Sequence, residues 1–117
     1  NVDIDSSIIA FNTTGEGLFC SLYSTATLTC TCVWDNDGGD WVSCIELQQT
    51  LDGNMHLDPL FCGLEFFDVY VCADSPCLAD APLNDCGILI GAHDEGCVAC
   101  GSPVEQRSWG AIKALYR

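Results

Sequence analysis

The sequence predicts an all-β chain built as a short β-solenoid stapled by disulfides, and three observations predict it. Its apolar runs are short and are separated by tight turns of Asn, Asp, Gly and Pro. Before residue 105 no segment carries the apolar period of about 3.6 residues that marks a helix. Similar phrases recur along the chain, where a sandwich would show hairpin signals between strands of comparable length.

Taken in order, Ser7–Asn12 (SIIAFN) reads as a short strand and Thr13-Thr14-Gly15 as the turn after it. Gly17–Cys20 is a second strand. Ala26–Trp34 is a third; Ala26, Leu28, Cys30, Cys32 and Trp34 alternate with Thr27, Thr29, Thr31 and Val33, the period-two signature of a half-buried strand. Asp35–Asp40 is a turn and Trp41–Ile45 a fourth strand. From Leu57 to Cys100, short apolar strands (Leu60-Phe61, Phe67–Val71, Ile88–Ile90) alternate with turns rich in Asp, Pro, Gly and Cys.

The phrases Asp58-Pro59-Leu60-Phe61-Cys62, Asp74-Ser75-Pro76-Cys77, Cys86-Gly87 and Leu89-Ile90-Gly91-Ala92 resemble the closing rungs of right-handed parallel β-helices in secreted bacterial, pectate-lyase-like solenoid proteins. The resemblance covers about residues 5–100 and implies that SIIAFNTTGEGLFC, TLTCTCVWDNDGGDWVSC and the DPLFC-to-CGILIGA block follow one another as rungs. Cys72 and Cys100 stand outside the family pattern, which makes them expected partners of each other; His93-Asp94-Glu95 departs from it too. The final segment, Val104–Arg117, resembles the terminal tail of the same proteins. The implied organisation is a β-solenoid domain over 1–103 and a docking or capping tail over 104–117.

A rung of roughly 20–25 residues allows about four of them here. Rungs pair at ~4.8 Å, so such a stack has two open edges unless something caps it. Nothing in Asn1–Asp5 looks like an amphipathic capping helix, so the N-terminal face is expected to be an unpaired edge.

The chain has 117 residues, enough for one domain, and 10 cysteines. That density of cysteine implies an oxidising compartment, and an even set implies five disulfides drawn from Cys20, Cys30, Cys32, Cys44, Cys62, Cys72, Cys77, Cys86, Cys97 and Cys100. Cys77 and Cys86 bracket a short turn and are expected to close it. Zinc is disfavoured, because Cys97–Cys100 is the sole C-x₂-C and no His pair accompanies it. No stretch approaches a membrane span. The start at Asn1, with no signal peptide, reads as a mature processed chain or the end of a longer one.

Charge is segregated. All 17 acidic residues precede position 106, and the 3 basic ones, Arg107, Lys113 and Arg117, follow it. A body without Lys or Arg excludes a nucleic-acid footprint and disfavours anionic membranes. It also argues against an enzyme: lyases of the resembled family use basic residues against acidic sugars, and no nucleophile stands at a recognisable spacing from His56 or His93. Asp35, Asp37 and Asp40 in a Gly-permissive turn are candidate Ca²⁺ ligands, the one cofactor the pattern suggests. Asn12-Thr13-Thr14 is a glycosylation sequon and Asn84-Asp85-Cys86 a weaker one.

In the tail, a helical turn would set Trp109, Ile112 and Tyr116 on one face with Lys113 and Arg117 elsewhere, and an extended strand would set Trp109, Ala111, Lys113 and Leu115 on one side. Together with Arg107 they make an aromatic, cationic segment able to dock on the acidic body of another copy. The expected function is a secreted structural subunit, its partner a second copy, stacking head to tail into an extracellular filament. The alternative is a glycan-binding or adhesion module, the terminal part of a larger protein, presenting Trp34, Trp41, Phe66, Phe67 and Tyr70 to sugar rings.

Overall fold

The structure is a computed structural model that describes residues 2–21 and 23–100. Among these residues are seven short strands: β1 (Val2–Asp5), β2 (Ile8–Ala10), β3 (Ala26–Thr29), β4 (Cys32–Trp34), β5 (Phe61–Gly63), β6 (Asp68–Cys72) and β7 (Glu95–Cys97). Helix is confined to 3₁₀ turns at Ser43–Gln48 and Leu64–Phe66. The expected tail residues lie outside the described residues.

A single register organises the first half. β1 pairs parallel with β3, Val2 opposite Ala26, and β2 pairs parallel with β4, Ile8 opposite Cys32. Both offsets equal the separation of the Cys20–Cys44 disulfide, 24 residues. The chain therefore returns over itself once per 24 residues. Its corners return as well: positive φ occurs at Ser6 and Cys30, at Phe11 and Asp35, and at Gly15 and Gly39. Left-handed backbone costs a non-glycine residue roughly 1–2 kcal/mol, so such corners persist where neighbouring circuits bond across them. Ser6 N–H donates to Thr29 O at 3.0 Å, Phe11 N–H to Trp34 O at 3.1 Å, and Gly38 N–H to Gly15 O at 2.7 Å.

A third passage is brief. Met55 bridges Cys32 in parallel, with Met55 N–H on Thr31 O and Val33 N–H on Met55 O. Beyond it the ladder is not continued: β5 and β6 pair antiparallel, and β7 adds parallel to β6. The block expected to supply closing rungs is thus a three-stranded mixed sheet with turns. Ile88–Ile90 forms no strand, although Ile90 N–H still bonds Cys77 O at 2.9 Å.

The predicted single strand Ala26–Trp34 is two strands. The corner at Cys30, φ 51°, reverses which face the alternation presents. Ala26 and Leu28 pack with Val33, Trp41 and Ile45, together with Ile4, Ile9, Leu18 and Cys20. Cys32 and Trp34 face the opposite way, into a second cluster with Ile8, Met55, Leu57, Cys77 and Ile90. The parallel strands are therefore covered on both faces, the second time by the C-terminal segment. Leu28, Val33, Ile45 and Ile90 are fully buried, each contributing on the order of 2 kcal/mol.

Two further expectations are corrected. Gly17–Cys20 forms no strand, and Trp41–Ile45 leads into the 3₁₀ turn at Ser43–Gln48. Trp41 and Ile45, four residues apart, both reach the first cluster, which a turn achieves. That turn also delivers Gln48 to β3: its amide accepts Leu28 N–H at 2.8 Å and donates to Ala26 O at 2.9 Å. Asn54 adds a bond to Leu28 O at 2.8 Å and accepts Thr31 N–H at 3.0 Å. Side-chain amides thus occupy the far edge of β3 as a further strand would. The far edge of β3 is thus closed, and among the described residues β1 and β2 are the outermost strands of the parallel pairs.

Candidate functional site

Among the described residues, β1 and β2 each have one strand neighbour. Beside them the chain returns from the C-terminal segment, where Gly91 N–H donates to Ser6 O at 2.8 Å. Gly91 has φ 102°, and a side chain there would strike the Ile8 Cδ1 methyl, so glycine is required at this approach. Between the rim and the segment lies an open, mostly apolar cleft of about 470 Å³ lined by Ser6, Ser7, Ile8, Phe61, Val69 and His93, among others. His93 stacks on Tyr70 with ring centroids 4.4 Å apart.

Asparagine ties the corners of adjacent circuits together. Asn36 is buried; its Oδ1 accepts Asn12 N–H at 3.1 Å and Asn12 Nδ2–H at 2.6 Å, and its Nδ2 donates to Ile9 O at 3.1 Å. Asn12, the sequon asparagine, is therefore one step of a two-residue amide ladder. The Asn84 sequon side chain is buried and holds the loop Cys77–Ile88 from within: Nδ2 donates to Leu78 O and Ile88 O, and Oδ1 accepts the N–H groups of Cys86 and Gly87.

The acidic turn is built inward. Asp40 accepts Asp35 N–H on Oδ2 at 3.0 Å and Asn36 N–H on Oδ1 at 2.8 Å, and Oδ2 also meets His56 Nε2 at 2.8 Å. Asp35 and Asp37 stay exposed, and the three carboxylates do not gather within ligand range of one another. With both Asp40 oxygens committed to closing the turn, the site is a corner clamp; an inward carboxylate satisfying two backbone donors is better used that way than as a cation ligand. Burial alone would raise the Asp40 carboxyl, but hydrogen bonds from the Asn36 backbone, the Asn36 amide and His56 outweigh it and hold it below its ordinary 3.8. Because the folded value is depressed, the clamp's stabilisation is complete above 3.8 and is lost as pH falls through the folded value. Acid unfolding of Asp40→Asn, followed by circular dichroism, is expected to start from lower stability and to lack this pH-dependent component.

Four disulfides are formed: Cys20–Cys44, Cys30–Cys86, Cys62–Cys97 and Cys72–Cys100. The structure does not form the expected Cys77–Cys86 bridge. Asn84 closes that loop by hydrogen bonding, freeing Cys86 to reach Cys30, while Cys77 and Cys32 remain buried thiols. The Cys72 sulfur lies within 4.8 Å of those of Cys62 and Cys97, and, in a second group, of the Cys100 sulfur and an Asp74 oxygen. Two bridges are thus adjacent, and sulfurs held as disulfides offer no thiolate to a metal. The oxidised protein is expected to take up no zinc in equilibrium dialysis; stoichiometric uptake without reductant would contradict these pairings.

The aromatic residues divide. Trp41 is buried and donates Nε1–H to Met55 O at 3.2 Å. Trp34 is half-buried against His56, with ring centroids 5.0 Å apart. Phe66 and Phe67 stand at the β5–β6 turn with 77% and 91% of their surface exposed.

Four disulfides imply an oxidising environment, and no helix among the described residues is long and apolar enough to cross a membrane. Arg107, Trp109, Ile112, Lys113, Tyr116 and Arg117 lie outside the described residues. No protein-family model matches the chain, and neither a curated protein nor a solved structure does.

Proposed function

We propose that this chain is a secreted structural module, a short right-handed β-helix stack that adds to another β-edge through the rim of its first circuit. One observation carries this reading. Among the described residues the parallel ladder ends at β1 with β2, while side-chain amides close the opposite edge of β3. Unpaired strand rims are templates for a further strand. A second copy is the occupant best supported, and filament growth would use the tail, with Arg107, Trp109, Ile112, Lys113, Tyr116 and Arg117, as the second, head-to-tail contact. Each copy carries a net charge of −14, so repulsion between bodies opposes docking, and added salt screens it. Nothing in this reading requires catalysis or a cofactor.

The test is size-exclusion chromatography with negative-stain imaging of the full chain at low and high salt. Oligomers that grow with salt are expected. In the β2–β4 ladder, Cys32 N–H points to Ser7 O and Phe11 N–H to Trp34 O, so by alternation the Ala10 N–H faces away from β4. Ala10→Pro should therefore remove assembly and keep the fold. Deleting Ser108–Arg117 should reduce filaments to edge-paired oligomers. A monomer under all conditions overturns the proposal.

Exposed Phe66 and Phe67 favour a second reading, adhesion to sugar rings through the β5–β6 turn. Phe67 holds φ 61° in a turn closed by its N–H on Leu64 O, a conformation in which a large exposed ring is uncommon. Glycan-array binding that is lost in Phe66→Ala/Phe67→Ala, with no oligomer at any salt, would select this reading.

A further inference from the structure

Cys32 lies in β4 and Cys77 in the turns after β6, and neither has any solvent-exposed surface. Both belong to the cluster formed with Met55 and Ile90 where the C-terminal segment covers the parallel strands. Cys32 Sγ–H donates to Leu57 O at 3.0 Å, with Cys77 beside it in the same cluster. Each is held on a pinned backbone. Cys32 N–H bonds Ser7 O at 2.9 Å; Cys77 N–H bonds Ser75 Oγ at 3.0 Å, and Ser75 Oγ–H bonds Pro59 O at 2.6 Å. Ile90 N–H holds Cys77 O. A buried free thiol acts as a small hydrophobe that Ala or Val can replace. Two thiols buried in one cluster across a layer boundary, in a chain whose other cysteines are all bridged, are placed for a bond.

We propose that Cys32 and Cys77 form a fifth disulfide, a covalent seam between the parallel strands and the segment that covers them. The step balances with an external disulfide of low molecular weight, such as oxidised glutathione, as co-reactant. One cysteine thiolate attacks a sulfur of that disulfide and expels one thiolate; the other cysteine then attacks the resulting mixed disulfide at the protein sulfur and expels the second. The external disulfide is reduced to two thiols, which take up the two protons, and the cysteines are oxidised. Because the site is closed to solvent, the exchange belongs to folding, before the C-terminal segment docks. Once docked, neither oxidant nor reductant reaches the sulfurs. Cys32–Cys77 is then the bridge most resistant to reduction in the native state, and Cys20–Cys44, whose Cys44 is exposed, the least.

The test uses the full chain refolded with a glutathione redox pair, then unfolded in guanidinium with an alkylating agent and no reductant. Expected are no alkylated cysteine, a mass lower than the reduced chain by ten hydrogen atoms, and a proteolytic peptide joining Cys32 to Cys77. Alkylation at both Cys32 and Cys77 would overturn the proposal. A mutant cycle tests it independently of any one variant's folding yield. Cys32→Ala, Cys77→Ala and the double variant should lower the urea midpoint by the same amount, because each removes the same bond. Each single variant should yield one alkylatable thiol. Losses that add in the double variant would show two separately packed thiols and also overturn it.

Discussion

Replacing Cys30 and Cys86 together by serine is expected to cost about 4 kcal/mol of stability, the chain-entropy value for their separation of 56 residues, the longest loop among the four bridges. The bridge joins the corner between β3 and β4 to the loop that Asn84 organises, and it crosses directly over Gly53. Gly53, at φ 76°, has room for no side chain, because an added Cβ would overlap Cys86 Sγ and approach Cys30 Sγ. Urea unfolding of the double serine variant measures the loss. Gly53→Ala supplies an independent reading: it is expected to destabilise strongly while the bridge is present and less once the bridge has been removed. Equal effects in both backgrounds would show that glycine is needed there for its backbone conformation alone.

Asn36→Ala is expected to cost about 3 kcal/mol, since buried polar groups left unpaired lose roughly 1–3 kcal/mol each. The substitution removes partners from Asn12 N–H, Ile9 O and Asp40 together. Asn12→Ala, at an exposed position, is expected to cost well under half as much, because its backbone bond to Asn36 survives. Asn36→Asp separates geometry from charge: it keeps the acceptor that Asn12 uses but sets a second carboxylate against Asp40, so its deficit should shrink as pH falls and the acids are neutralised. Thermal melts of the three variants across pH test the ranking. A benign Asn36→Ala would mean that the corners are held by the backbone alone.

The sequence made some of this legible. Short β-branched runs between Gly, Asn and Asp turns announce strands, and β2, β5 and β6 fall near where Ser7–Asn12, Leu60-Phe61 and Phe67–Val71 place them. The density of cysteine announces disulfides, of which four are formed. Other features were hidden by their nature. The alternation from Ala26 to Trp34 is unbroken in residue type, and no rule of period two shows that Cys30 turns into a left-handed corner. Cys30 can hold that conformation because Cys30 N–H bonds Asp52 O in the next passage. Gln48 and Asn54 look like loop residues in a linear reading; their role as edge caps exists only where β3 is already in place. Asp40 reads as a surface acid until Asn36 and His56 surround it.

Residue chemistry by itself determined the class: an acidic, cysteine-rich chain of short strands, without a basic surface for phosphates. Tertiary structure decided the partners: which sulfur meets which, which edge of the parallel ladder side-chain amides close, and which of Asp35, Asp37 and Asp40 turns inward. The physical reason is range. Turn and strand preferences act over a few neighbours, whereas the strand register and the Asn12–Asn36 tie join residues 24 apart, the Cys30–Cys86 bridge residues 56 apart, and His56 reaches Asp40 across 16.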